Sequence, residues 1–264
     1  MIRTALAAAT LALAAAPAFA LLVRADRDDA EYLDFATRYP AAVRLDAPVG
    51  GGVLISPRWV LTAAHVVEPL RATPGRMQVV VGGKAREVQA VYVHPDWKRG
   101  READLALVHL RIPVEDVEPA NIYRGTDEAG QTARIVGHGM SGRIGEKAAT
   151  PADRKPRVGL NTVDRLEPLA FGLKVKGPDE ASDLQGVFSA GDRGGPAFIE
   201  VEREPFLVGI GIGTEDASGD GIAGNVGDWD LFVRVSAFRE WINQATAKAA
   251  ADEAAEAVGD TERR

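Results

Sequence analysis

The chain has 264 residues, 46% of them apolar and 26% charged, the composition of an ordinary globular protein with room for one large domain or two small ones sharing a core. A formal net charge of -7 with no basic cluster excludes a general nucleic-acid binder and leaves proteins, peptides or small molecules as partners. With no cysteine, thiol nucleophiles, thiolate metal sites, redox motifs and disulfides are excluded together.

Residues 1–20, MIRTALAAATLALAAAPAFA, carry one early arginine, an uncharged run from Thr4 to Phe19 and a small-x-small end at Ala18-Phe19-Ala20. This is the layout of a secretory signal peptide, so cleavage is expected after Ala20 and the mature chain is expected to be exported to the periplasm or the medium. No later apolar run is long enough to span a bilayer, so no membrane attachment is expected after cleavage.

From Tyr39 onward, short apolar runs alternate with Gly, Pro and charged clusters. Strands are predicted at Ala42–Leu45, Gly52–Ile55, Trp59–Thr62, Gln78–Val81, Glu87–Val93 and Leu105–Leu110, then at Ala133–Gly137, Arg157–Val163, Phe171–Lys176, Pro196–Glu200, Phe206–Ile212 and Leu231–Val235. The polar stretch Val114–Thr132 divides them into two sets of about six, which suits two small barrels packed together. Arg143–Pro156 and Glu215–Asp228 are predicted to be exposed loops. The second loop is acidic and glycine-rich, but it lacks the alternating oxygen ligands of a calcium loop. Ser236 is expected to cap a helix from Ala237, with Phe238, Trp241 and Ile242 packed on the second barrel and fraying beyond about Ala247. The expected organisation is therefore a leader over 1–20, a first barrel over 21–120, a second barrel with a helix over 121–246, and a tail over 247–264.

Three segments then carry the chemistry: WVLTAAHVV with His65, ADLALVHL with Asp104, and GDRGGPAF. Acyl transfer by a serine needs an imidazole to take the hydroxyl proton, a carboxylate to fix its tautomer and backbone donors for the oxyanion. His65 and Asp104 are candidates for the first two roles. His94, His109 and His138 are read as core or surface histidines, and no His-Glu-x-x-His spacing or other metal-ligand pattern is present, so neither metal nor cofactor is expected.

In this order and spacing, TAAH, DLAL and GD-x-GGP resemble the trypsin/chymotrypsin (S1) family of secreted serine endopeptidases, and bacterial members without disulfides in particular. The resemblance extends to GGVLISPRWVLTAAHV, ARIVGHG, PFLVGIGIG and LFVRVSAFREWI, and so covers most of the chain after the leader. It implies an all-β fold of two packed six-stranded antiparallel β-barrels with a C-terminal α-helix. It also implies that the nucleophile belongs at 193, that the amides of Gly191 and residue 193 form the oxyanion hole, and that Asp192 pairs with a new N-terminus. Val187 at the base, Ile212, Gly213 and Thr214 along one wall, and Asp230 near another are the implied substrate pocket.

Arginine stands at position 193. A guanidinium offers only donors and has no lone pair with which to attack a carbonyl. Its side chain is expected to reach toward His65 and Asp104 and fill the site, and neither Ser189 nor Ser141 is expected to replace the nucleophile. No Ile-Val-Gly-Gly stretch follows a basic residue, so Leu21, exposed by leader cleavage, is expected to supply the amine for Asp192. Two functions follow: an exported, catalytically impaired or inactive protease homologue that binds protein or peptide ligands, or an active serine endopeptidase.

Overall fold

The computed structural model describes residues 21–138, 142–146, 154–189 and 191–261, with backbone alone for 252–261. The expected leader, Ser141 and part of the loop expected at Arg143–Pro156 lie outside the described residues.

Two seven-stranded sheets carry the fold. The first runs in the spatial order Lys84–Arg86, Gln78–Val81, Ala42–Ala47, Val49–Ser56, Trp59–Thr62, Ala106–Leu110 and Val88–Val93. Its central strands are apolar on both faces: Val60, Leu61, Leu107 and Val108 are fully buried, each worth roughly 1.5–3 kcal/mol as burial. The second sheet runs Pro196–Val201, Thr132–Gly137, Arg157–Leu166, Ala170–Lys174, Trp229–Arg234, Glu204–Glu215 and Asn121–Ile122, and Pro196–Val201 pairs again with Glu204–Glu215. That last pairing closes six strands into a barrel around Phe171, Phe188 and Phe232. The rings of Phe171 and Phe232 stack at 5.1 Å.

The fold is thus the expected two-barrel one, with a difference in closure. The second barrel is closed, whereas the first sheet is a half-barrel whose end strands, Lys84–Arg86 and Val88–Val93, follow one another in sequence without pairing. Lys84–Arg86 is a short polar edge, tied instead to Asp116 by Lys84 and Arg86, and an exposed strand of that kind is not drawn across an apolar interior.

Three regions depart from the sequence expectations. Before the first predicted strand lies a helix, Asp29–Ala36, opened by a capping box in which the Asp28 carboxylate accepts from the Ala30 amide and Glu31 accepts from the Asp28 amide. This helix is stapled to the second barrel: Arg157 reaches both oxygens of Asp29 at 2.7 Å, and the buried Tyr32 hydroxyl donates to the Gln185 carbonyl at 3.1 Å. Ser236 does not cap the C-terminal helix. Its hydroxyl donates to Glu128 at 2.8 Å from within a 3-10 turn, Val235–Phe238, and the α-helix runs Arg239–Thr261. Phe238 and Trp241 pack on His94, at the end of a first-sheet strand, so the helix is seated against the first sheet and not only against the second barrel. The helical backbone also continues past the expected fraying point, with Ala249 still buried, as Ala- and Glu-rich sequence favours.

Candidate active site

Strand register brings the first two candidates together. Thr62 lies opposite Ala106, so the short helix Ala64–Val67 that continues from one strand faces the residue that precedes the other. Ala103 takes a positive φ of 50°, and the Leu105 amide donates back to the Ala103 carbonyl at 2.7 Å, which sets Asp104 at the apex of a tight turn. One Asp104 oxygen accepts the His65 amide at 2.9 Å, and the other lies 2.7 Å from His65 Nδ1. Asp104 is buried, and both its oxygens are committed to His65. With a proton held on Nδ1, the lone pair of the imidazole is on Nε2. That Nε2 is buried without a hydrogen-bond partner.

The GDRGGP turn is pressed against the same segment. The Arg193 carbonyl accepts the Gly51 amide at 2.8 Å, and Gly51 in turn accepts the Thr62 hydroxyl at 2.7 Å. Gly194 has φ of 85°, and a Cβ there would overlap the Thr62 hydroxyl and the Gly51 carbonyl; one on Gly195 would stand 2.8 Å from the Asp192 carbonyl. The two glycines are therefore dictated by contact with the first sheet as well as by the turn. Among the described residues, the amides of Gly191 and Arg193 have no acceptor.

The Arg193 side chain does not take the expected course toward Asp104. It is exposed, and its guanidinium carbon and two of its nitrogens each lie 3.9 Å from the position of a Cβ on Gly213. Asp104 is buried against His65, whereas the Arg193 side chain lies at the surface, and among the described residues the guanidinium forms no hydrogen bond or ion pair. Ser189 donates its hydroxyl to Asp192 at 3.2 Å and so is engaged away from His65.

Asp192 is buried under this turn. Its carboxylate accepts the amides of His138 at 3.2 Å and Ser189 at 3.1 Å, and burial drives its pKa well above the usual carboxylate range. Leu21 is fully buried beside it: a Cβ on Gly137 would overlap the Asp192 carboxylate and stand 3.1 Å from Leu21 Cγ. Leu22–Val23 is inserted as a short strand between Gly186–Val187 and Gly142–Arg143.

The residues implied as a substrate pocket come together without lining an open slot. Val187, Ile212 and Asp230 are buried, and Gly213 and Thr214 are partly exposed. Val187 pairs with Leu22, while the ring of Phe188 fills the space beside Gly211, where a Cβ would overlap it, and lies 5.2 Å from Phe232. Asp230 accepts the Phe188 amide at 2.6 Å and the Thr214 hydroxyl at 3.2 Å. Burial, reinforced by the charge of Asp228, raises its pKa to about 7. Phe188 escaped the sequence reading because one aromatic next to a glycine-rich turn carries no periodic signal. Glu215 is held by Arg101 at 3.5 Å and Arg165 at 3.3 Å, one from each half of the molecule. The remaining histidines pack: His109 stacks on Trp59 at 4.2 Å, and burial lowers the pKa of His94 and brings that of His138 to about 4.

Two packed β-sheets with a His-Asp pair facing a Gly-Asp-x-Gly-Gly-Pro turn define the class of two-barrel serine hydrolases. Residues 33–242 match the family model described as Trypsin, and the chain belongs to the trypsin family. It is 32% identical over 222 residues to the trypsin of Phaedon cochleariae, a match that takes in 74% of this chain and 78% of that protein. It is 32% identical over 225 residues to serine protease 56 of Mus musculus and to that of Homo sapiens, covering 78% of this chain but only 36% of either relative. The chain thus spans about a third of the length of those two relatives. Among the described residues, no helix is long and apolar enough to cross a membrane.

A carboxyl group whose pKa is raised by folding binds its proton more tightly in the folded state. Its contribution is therefore present below the unfolded value, near 4, and is lost as pH rises through the folded value, about 7. Urea unfolding between pH 4 and 7.5 is expected to show stability falling with pH in the parent and falling less in Asp230→Asn. Equal slopes would remove Asp230 from this linkage.

Proposed function

We propose that the chain is an exported trypsin-family protein that binds protein or peptide ligands in its cleft and does not hydrolyse them. One observation carries the reading. The His65–Asp104 pair is set and the GDRGGP turn is pressed against it, yet position 193 offers a guanidinium, and His65 Nε2 is left buried without a partner. With no lone pair at 193, there is no covalent acyl step for that imidazole to assist. Arg193 itself, the amides of Gly191 and Arg193, and the cleft around Gly213 and Thr214 are then surfaces for binding.

The set geometry of His65 and Asp104 favours a second reading, an active serine endopeptidase in which another hydroxyl attacks. The engagement of Ser189 with Asp192 argues against that residue as the attacking group. The similarity to proteins named trypsin and serine protease bears on ancestry and is consistent with either reading.

The reading includes export and maturation. Cleavage after Ala20 would free the amine of Leu21, a residue buried close to Asp192, and an ammonium reaching that carboxylate would add a counter-charge to the donors from His138 and Ser189. The folded chain would then be mature on export.

Two outcomes are expected. Arg193→Ser should hydrolyse peptide aminocoumarin amides with a small residue before the scissile bond at least about 10³-fold faster than the parent, since loss of a serine nucleophile costs more than that. If Arg193→Ser stays as inactive as the parent while remaining folded, the site lacks more than its nucleophile. A protein beginning at Leu21 should melt several degrees above one carrying an extra N-terminal residue, and Asp192→Asn should abolish the difference. Equal melting temperatures in the two parents would separate Leu21 from Asp192.

A further inference from the structure

We infer that the cleft is a receptor for a peptide ending in a free carboxylate, seated on Arg193. The inference rests on the non-hydrolytic reading above and names the ligand of that same site.

Donors outnumber acceptors there. Among the described residues, the Arg193 guanidinium has no carboxylate partner, and the amides of Gly191 and Arg193 have no acceptor. Three carboxylates of the site are engaged: Asp104 by His65 through both oxygens, Asp230 by Phe188 and Thr214, and Glu215 by Arg101 and Arg165. Unsatisfied amides in a tight glycine turn form an anion-binding concavity, and an arginine beside it adds charge-assisted hydrogen bonds. On a chain with formal net charge -7, this is a local cationic spot that selects an anion.

A carboxylate fits the arrangement because it has two oxygens, one for the amides and one for the guanidinium. The neutral carbonyl of an unbroken peptide offers a single weaker acceptor. The rest of the ligand follows from what flanks Gly213. The ring of Phe188 occupies the space beside Gly211, so the terminal residue must be small, alanine or glycine. Along the same strand, a cavity of about 480 Å³ has Leu169, Phe171, Ile212 and Leu231 on its apolar side, with Leu169 43% exposed, and is also lined by charged residues of both signs, Glu102 and Glu167 among them. An aliphatic residue preceding the terminus would bury its side chain in that cavity. The ligand chemistry is therefore that of a cut or natural C-terminus, aliphatic then small, and a side-chain carboxylate within a chain is its chemical rival.

Fluorescence polarisation with the full chain after the leader separates these. The probes are fluorescein-Gly-Leu-Ala-Ala with a free carboxylate, the same peptide as its C-terminal amide, and fluorescein-Gly-Leu-Glu-Ala amide. The free acid should bind at least about tenfold more tightly than either amide, and the preference should vanish in Arg193→Ala and persist in part in Arg193→Lys. Asp116→Asn, at the polar edge of the first sheet and away from the cleft, should retain it. Equal binding of acid and amide, binding as tight by the glutamate amide, or a preference that survives Arg193→Ala would each overturn the inference. Turnover of Gly-Leu-Ala-Ala aminocoumarin amide by the parent is followed in parallel. Hydrolysis there would overturn the non-hydrolytic reading and this inference with it, whereas no hydrolysis together with no acid preference would overturn this inference alone.

Discussion

The buried carboxylate of Asp192 is the constraint on which the site depends. A carboxyl group buried without a counter-charge is driven toward its neutral form, and donors around it offset only part of the cost of ionising it. Here the donors come from His138, at the end of a barrel strand, and from the amide and hydroxyl of Ser189, while the Asp192 carbonyl closes the turn by accepting the Gly195 amide at 2.9 Å. Neighbours give way to Asp192: Gly137 has no room for a Cβ beside its carboxylate nor Gly195 beside its carbonyl, and Leu21 is buried close to it. Residue 193 is fixed in consequence, with its carbonyl accepting the Gly51 amide. The turn is held by Asp192 and by the first sheet, not by the side chain at 193, which is why it persists with an arginine in place of a serine.

The same logic explains why donors dominate the cleft. A serine at 193 would give His65 Nε2 a proton donor and leave the oxyanion amides for a substrate carbonyl. Arginine adds positive charge to a place with unpaired N–H groups, while Asp104, Asp230 and Glu215 remain committed to His65, Phe188, Thr214, Arg101 and Arg165. A site suited to moving a proton becomes one suited to holding an anion. Binding at this cleft, where the two sheets meet, is the property on which such a chain would depend.

Much of this was legible in the sequence because its signals are local. Strands such as Trp59–Thr62 and Gln78–Val81 fall where apolar runs are bounded by turn residues, and the remaining predicted strands differ by a few residues at their ends. The TAAH, DLAL and GD-x-GGP segments located His65, Asp104 and the turn because each is a short string with its own geometry. What escaped was set by contacts distant in sequence. The helix Asp29–Ala36 did leave a local mark, the Asp28 to Glu31 capping box, but its apolar residues are few, and its place depends on Arg157 and Gln185 far along the chain. Phe188 fills a space defined by Gly211 and Phe232, and Arg193 lies beside Gly213, which comes from a strand of the second barrel. Incomplete closure of the first barrel likewise depends on a polar edge pairing with Asp116 rather than on anything periodic.

The claim that most needs testing is that the hydrolytic machinery is assembled around an absent nucleophile. Intact-mass spectrometry after exposure to a fluorophosphonate tests it directly, because this reagent bonds only to an activated hydroxyl. The account predicts no adduct on the parent chain, a single adduct on Arg193→Ser, and none on Arg193→Ser combined with His65→Ala. A stoichiometric adduct on the parent that requires His65 would contradict it.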